Sequence, residues 1–341
     1  MNNYTLSDFD YNLPKELIAQ YPIKERGTSR LLMVERKTQK IVVGDFINLI
    51  DFLNPGDVIV LNNTKVIKAR LIGKTESGIG VDALLVKKVS ERKYEILLKP
   101  LKKLKEKEMV YFNGGFIMAL FEKGPEGKAY MEFDQGALKQ LDAISTMPLP
   151  PYIKRLPENL DLDRYQTVYA QKEGSIASPT AGLHFTEGIL DGLNRKGINV
   201  CYVSSSIGYS TFKKIKNEDI KTHTLEAEYF SLSKAVSRVL NSARARASRI
   251  LSVGTSSTRV LETCFENGNV IAREGHSDLF IHPPFKFNVV NMLLTNFHMP
   301  KTTLIMLACA FCGRELLLKA YDVAIKERFR FLSYGDAMLI V

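Results

Sequence analysis

Ile250-Leu251-Ser252-Val253-Gly254-Thr255-Ser256-Ser257-Thr258-Arg259-Val260-Leu261 is the stretch on which the fold of this chain turns. Ile250 to Val253 reads as a strand, one glycine and a run of hydroxyls follow, and a helix through Val260, Leu261 and Phe265 comes next. A strand passing straight into a helix is the unit of a layered α/β domain. At such a junction free backbone N–H groups and the helix dipole favour an anion, and Thr255, Ser256 and Arg259 strengthen that reading. A hydroxyl-capped helix start without a ligand accounts for the same residues. The glycines of a phosphate-binding P-loop or a dinucleotide fingerprint are missing.

Working outward, the same alternation continues. Glu187 to Arg195 reads as a helix and Ile198 to Val203 as a strand, and Ser233 caps a helix with Val236, Val239, Leu240 and Ala243 at helical spacing. Beyond the central stretch come a buried strand at Leu293-Leu294, a helix capped by Thr302 or Thr303 and running through Phe311, a helix from Glu315 to Arg328, and a terminal strand from Met338 to Val341. The pattern begins after Pro148-Leu149-Pro150-Pro151.

Upstream the signals differ. Val58 to Leu61, Val66 to Ile72, Tyr94 to Leu98, Met109 to Phe112 and Phe116 to Leu120 are short β-type runs, separated by Asn62-Asn63, Gly78-Ile79-Gly80, Gly114-Gly115 and Gly124-Pro125. Close spacing of short strands predicts a small antiparallel barrel. The segment up to Asp51, with Leu17-Ile18, Phe46-Ile47 and Leu49-Ile50, is expected to pack on the α/β part. The expected organisation is an α/β catalytic core from residues 1–60 and 150–341 with an inserted β-barrel domain at 61–149.

With 341 residues the chain exceeds what one core usually supports, and its 45% hydrophobic and 25% charged residues exclude global disorder. Forty-seven Lys+Arg against 37 Asp+Glu leave a net charge of +10, a field that attracts polyanions. The four cysteines, Cys201, Cys264, Cys309 and Cys312, are too few and scattered for a disulfide scaffold, which fits a reducing compartment. The first fourteen residues hold Asp8 and Asp10 and no apolar run, so a secretory leader is not expected. No stretch reaches the ~18 apolar residues of a membrane span. A cytoplasmic protein with no membrane partner is expected.

Candidate chemistry concentrates in three short segments. Two of the five histidines lie in Ser178-Pro179-Thr180-Ala181-Gly182-Leu183-His184-Phe185 and Thr295-Asn296-Phe297-His298-Met299-Pro300-Lys301-Thr302-Thr303. The third segment, Phe329 to Met338, places Arg330 and Asp336 among aromatics. Histidine near neutral pH serves as acid, base or hydrogen-bond donor, and ligands of α/β domains gather at the carboxyl ends of strands. A structural hydrogen bond is the competing reading for either histidine alone. Cys309-Ala310-Phe311-Cys312 has the spacing of a redox or metal pair, but it sits in an apolar helix with no second pair, so it reads as core packing and no metal is implied. Basic patches run from Lys99 to Lys107 and over Arg238, Arg244, Arg246 and Arg249. Solvated faces and RNA contacts both fit them.

At these segments the chain closely resembles the S-adenosylmethionine:tRNA ribosyltransferase-isomerases of queuosine biosynthesis. The resemblance runs from Asp8-Phe9-Asp10-Tyr11-Asn12-Leu13-Pro14 to Tyr334-Gly335-Asp336-Ala337-Met338. Between them lie Asn62 to Val66, Ala69 to Leu71, Met147 to Ile153, Tyr165 to Tyr169, Pro179 to Phe185, Val253 to Arg259 and Thr295 to His298. It implies a barrel-like α/β core with an inserted small antiparallel β-barrel. It also implies the reaction: the ribosyl part of S-adenosylmethionine passes to 7-aminomethyl-7-deazaguanine at the tRNA wobble position and isomerises to epoxyqueuosine, releasing adenine and methionine. S-adenosylmethionine is then the cosubstrate, with no further cofactor, the tRNA carrying the deazaguanine precursor is the partner, and a monomer is expected.

On this resemblance His184 and His298 are expected to form an acid/base pair, with Asp336 orienting one of them or holding the ribose hydroxyls. Thr180, Thr255, Ser256 and Arg259 would bind the methionine carboxylate or a tRNA phosphate, Tyr165 and Gln166 would line the nucleoside pocket, and Asn296 would contact substrate. The family's usual His-Val-Gly-x-Gly-Thr-Phe-x-Pro block departs here to Ser206-Ile207-Gly208-Tyr209-Ser210-Thr211-Phe212-Lys213-Lys214. An unassisted hydroxyl at Ser206 is too weak a base to replace an imidazole, although His223 lies near in sequence. A catalytically impaired, tRNA-binding relative is therefore the alternative. A general methyltransferase fits less well, because its glycine-rich strand-turn-helix is not evident.

Overall fold

The strand Ile250–Val253 is buried at all four positions and pairs in parallel with Val58–Asn62 on one side and Met292–Asn296 on the other. The computed structural model describes residues 4–112, 117–124, 129–208, 215 and 217–341. Contacts divide the chain into one unit of Met1–Lys65, Pro150–Arg155 and Asp163–Val341 and another of Val66–Leu149 and Leu156–Leu162.

The first unit is built on a nine-stranded mixed sheet. Its order is Arg273–Ser277, Glu228–Leu232, Asn199–Ser205, Val58–Asn62, Ile250–Val253, Met292–Asn296, Ala337–Ile340, Arg30–Val34 and Ile41–Asp45. The four central strands run parallel and the flanks bring antiparallel pairs. Successive side chains of a strand point to opposite faces, so each central strand feeds two cores. Val58, Val60, Ile250 and Leu293 enter one, while Ile59, Leu61, Leu251 and Leu294 enter the other. Continuous apolar runs belong to strands covered on both sides.

That rule corrects the grouping of Val58 to Leu61 with the short β-type runs, although the expected core boundary at residue 60 already put Val58 to Val60 in the α/β part. All five residues of Val58–Asn62 are buried, and the strand lies inside the core sheet. A second correction concerns Phe265. The helix Gly254–Thr263 stops before it, and Phe265–Glu266 pairs with Asn269–Val270. Asn267 and Gly268 supply the turn with φ of +48° and +82°, the backbone that a two-residue hairpin requires. The N-terminal segment contributes two sheet strands, Arg30–Val34 and Ile41–Asp45, whose pattern is too short to stand out from the sequence.

The second unit holds a closed antiparallel barrel of six strands in the order Ala129–Phe133, Lys93–Lys99, Gly80–Lys88, Arg70–Thr75, Met109–Phe112 and Ile117–Lys123. Strict alternation directs Ala129, Met131 and Phe133 inward. Phe116, Gly114, Gly115 and Pro125, read as strand and turn residues, lie outside the described residues. No helix among the described residues is long and apolar enough to cross a membrane.

Candidate active site

A cavity of about 320 Å³ opens in the α/β unit where parallel strands end. Gly254 to Ser256 follow the strand Ile250–Val253, and Phe297 to Met299 follow Met292–Asn296; both groups line the cavity. Gly254 turns the chain into the helix with φ of +82°, and its missing side chain leaves Ala181 close by, 3.7 Å from where a Cβ would stand. The first N–H groups of the helix Gly254–Thr263 lack intrahelical partners, and four hydroxyl residues follow Gly254. Asn62 fixes Ser256 by donating Nδ2 to its Oγ at 3.1 Å, and donates also to the Ser205 carbonyl at 3.0 Å.

His298 lines the cavity although it is only 6% exposed. Its backbone is held from both sides: its N–H donates to Tyr321 Oη at 3.0 Å, and the Tyr11 hydroxyl donates to its carbonyl. The ring meets Thr295 Oγ1 through Nε2 at 3.1 Å, while Nδ1 has no partner. Burial pushes the imidazole down to about 3, so it is neutral at physiological pH. Nδ1 is buried and unpartnered, so the neutral ring keeps one nitrogen available as an acceptor, and a ring held at about 3 is a weak base until a bound substrate changes its surroundings.

His184 has a different setting. It ends the 3-10 turn Thr180–His184, stacks on Phe46 with ring centroids 5.1 Å apart, and does not line the cavity. Asn296 Nδ2 lies 3.2 Å from its Nε2 and also donates to the carbonyls of Leu332 and Asp336, each at 3.3 Å. Those carbonyls fix the amide orientation, so Nε2 accepts and Nδ1–H donates to Ser29 Oγ at 2.7 Å. Burial first, then the charges of Arg26 and Arg330, push this imidazole down to about 3 as well. Both ring nitrogens are occupied.

Asp336 is 2% exposed and accepts the backbone N–H of Arg30 at 3.0 Å and of Arg330 at 2.8 Å. Burial holds its carboxyl above the usual range. It ties two backbone segments together and reaches His184 only through its own carbonyl and Asn296. The residues predicted from sequence therefore separate into two sets. Thr180, Thr255, Ser256, Arg259, Asn296 and His298 line the cavity; His184, Asp336, Tyr165 and Gln166 do not. Tyr165 is fully buried with its ring edge-on to Tyr334, and the Gln166 carbonyl accepts from Arg26.

Arg259 lines the cavity with its guanidinium already engaged. It donates to Glu228 Oε2 at 2.5 Å, to the Ser277 carbonyl and to the Leu279 carbonyl, each at 3.0 Å. Glu228 uses its other oxygen to accept Gly208 N–H at 2.8 Å. Sequence reasoning missed Glu228, which stands in a strand with no motif around it. It also missed Ser178, a cavity-lining residue whose buried hydroxyl has no partner, and Tyr152, whose hydroxyl lies 2.5 Å from Ser333 Oγ. The unpartnered serine sits in a segment the sequence had marked, so its neighbourhood was the available signal.

Ile207 lines the cavity and Ser206 donates its N–H to the Tyr229 carbonyl at 2.9 Å; Ser210 and Lys214 lie outside the described residues. His223 packs edge-on against Phe280, a cavity residue, with centroids 5.3 Å apart. Cys309 and Cys312 are unpaired thiols of the helix Thr303–Cys312, and burial pushes Cys312 up to about 12. Among the described residues no group of three His, Cys, Asp or Glu is placed to hold a metal ion.

Comparison with known proteins places these features in context. The model of a family described as queuosine biosynthesis protein matches residues 6–340. The chain is 45% identical over 338 residues to the S-adenosylmethionine:tRNA ribosyltransferase-isomerase of Sulfurihydrogenibium sp. strain YO3AOP1, covering 98% of this chain and 99% of that one. It is 43% identical over 345 residues to the enzyme of the same name from Fusobacterium nucleatum, covering 100% and 97%. A crystal structure of S-adenosylmethionine tRNA ribosyltransferase from Thermotoga maritima is similar at a TM-score of 0.57 and 34% identity, over 98% of this chain and 100% of that chain.

Proposed function

This chain belongs to the queuosine biosynthesis family of S-adenosylmethionine:tRNA ribosyltransferase-isomerases, and from that premise we propose that the cavity around His298 is where it binds S-adenosylmethionine and begins ribosyl transfer. The reaction moves the ribosyl moiety of S-adenosylmethionine onto 7-aminomethyl-7-deazaguanine at the tRNA wobble position, gives epoxyqueuosine-tRNA and releases adenine and methionine. A sulfonium acidifies the neighbouring ribose C–H, so a positioned base starts the sequence and a hydrogen-bond donor assists adenine departure.

The observation that carries the assignment is the free Nδ1 of a neutral, cavity-lining His298. We assign His298 as the base. The start of the helix Gly254–Thr263, with Thr255, Ser256 and the free hydroxyl of Ser178, holds the methionine carboxylate. Arg259 shapes the wall through Glu228 rather than gripping an anion. Asn296 presents its amide at the cavity, while His184 and Asp336 act as positioning residues behind it. A volume of about 320 Å³ lies within the range of small-molecule sites. The α/β unit is the catalytic domain, the barrel is an inserted domain, and the protein works as a cytoplasmic monomer on tRNA.

The decisive experiment mixes the protein with S-adenosylmethionine and tRNA carrying the deazaguanine precursor and follows free adenine. Adenine release that depends on the tRNA is the expected result. tRNA binding without adenine would fit the impaired relative instead.

A further inference from the structure

Of the two basic patches in this chain, one has three of its four arginines committed to the fold, with Arg238 exposed, and the other lies outside ion pairs among the described residues. On the helix Lys234–Ala245 and just after it, Arg244 donates to the Gly268 carbonyl at 2.6 Å and lies over the Phe265 ring, Arg246 donates to Ser242 Oγ at 2.6 Å, and Arg249 binds Asp57 at 2.6 Å. In the barrel unit, Lys68, Arg70, Arg92 and Lys93 are paired with Asp142, Asp82, Glu132 and Glu122. Lys102, Lys103, Lys105 and Lys107 differ: all four are exposed and, among the described residues, none is in an ion pair.

The segment that carries them is anchored. Leu104 is 2% exposed, Lys103 and Leu104 close a 3-10 turn onto the carbonyls of Pro100 and Leu101, and Lys107 N–H donates to the Phe121 carbonyl at 3.0 Å. The segment joins Lys93–Lys99 to Met109–Phe112, strands that are not neighbours in the barrel, so it crosses one barrel end. Its carboxylates are turned to the backbone: Glu106 accepts Lys123 N–H at 3.0 Å and Glu108 accepts Lys105 N–H at 2.8 Å.

Ammonium groups on a fixed backbone and outside ion pairs, with Lys105 near the backbone-bound carboxylate of Glu108, match a partner whose negative charge repeats along a chain. Such groups act as point charges that meet phosphates and read no base. We infer that Lys102, Lys103, Lys105 and Lys107 form a phosphate-binding surface for the tRNA substrate, contacting its backbone rather than its bases. This rests on the ribosyl-transfer reading, which supplies the partner.

Changing the four lysines together to glutamine should weaken tRNA binding about 10-fold or more and reduce the slope of log K against log salt by about 3. KM for tRNA rises, while kcat at saturating tRNA and the affinity for S-adenosylmethionine stay unchanged. The fourfold arginine variant keeps the charge and the parent slope. Unchanged affinity and slope in the glutamine variant, or a lower kcat with tRNA affinity intact, overturns the inference. Because tRNA binding is measured without turnover, that failure leaves the ribosyl-transfer reading standing; that reading falls only if the parent protein releases no adenine.

Discussion

Nδ2 of Asn296 donates to Nε2 of His184 at 3.2 Å, and this contact gives the chain's two buried site histidines different work. It closes the second ring nitrogen of His184, whose Nδ1–H already reaches Ser29. His298 keeps a nitrogen free. Thr180 completes the chain by donating its hydroxyl to Asn296 Oδ1 at 2.9 Å, so the cavity feels His184 only through an amide that the turn and the strand hold jointly.

His298→Gln should lower the rate of adenine release about 10²- to 10⁴-fold, the usual contribution of a general base, with S-adenosylmethionine binding retained. Single-turnover kinetics separate the two. A folded variant that keeps the parent rate removes His298 from the chemistry.

His184 should declare itself through stability and pH. Its imidazole titrates at about 3 when folded and at 6.5 in the unfolded chain. Between those values the unfolded state binds one more proton, so this contribution is fully present above pH 6.5 and is lost as pH falls toward 3, at about 1.4 kcal/mol per pH unit. His184→Phe lacks this dependence and also leaves Ser29 and Asn296 short of a partner, costing about 1–3 kcal/mol at pH 7.5. Urea unfolding of both proteins from pH 7.5 to 4.5 should show their difference shrinking below pH 6.5. A constant difference would count against a buried neutral imidazole.

Glu228→Ala should destabilise the protein by about 3 kcal/mol, because it strands the Arg259 guanidinium in a mostly buried site. It also releases the Gly208 N–H next to Ile207 in the cavity wall. Denaturation midpoints measure the loss. If the variant is as stable as the parent, the pair does not brace the wall.

Gly335→Ala probes the turn that aims Asp336. A Cβ there would stand 2.4 Å from the Arg330 carbonyl oxygen and 2.6 Å from the Phe331 carbonyl carbon, backbone atoms that cannot swing aside. Overpacking of this kind costs about 1–3 kcal/mol, and the turn must open. Thermal melting should show the loss. Parent-like stability would mean that the turn relaxes freely.

Much of the architecture is legible along the chain. Ser233 caps its helix by accepting Val236 N–H, Thr186 caps Glu187–Arg195 in the same way, and the strands at Ile250–Val253 and Met292–Asn296 stand where apolar runs place them. Phe265 shows the opposite error: it extends an apolar helical pattern, yet the Asn267-Gly268 turn signal lies two residues on and wins. Val58–Asn62 could not be assigned to its sheet, because an apolar run says that a strand is covered on both faces and not which neighbours cover it.

The site divides along the same line. Sequence alone determined most of the local elements, the segments proposed to carry chemistry and the family, since caps, periodicity and motif blocks are properties of residues close along the chain. Tertiary structure alone decided which imidazole is free and which arginine is neutralised. His184 finds Ser29 and Asn296 across 155 and 112 residues, and Arg259 finds Glu228 across 31. Whether a polar group is available for chemistry depends on the hydrogen bonds left after folding, and those partners come from strands that the sheet, not the sequence order, makes neighbours.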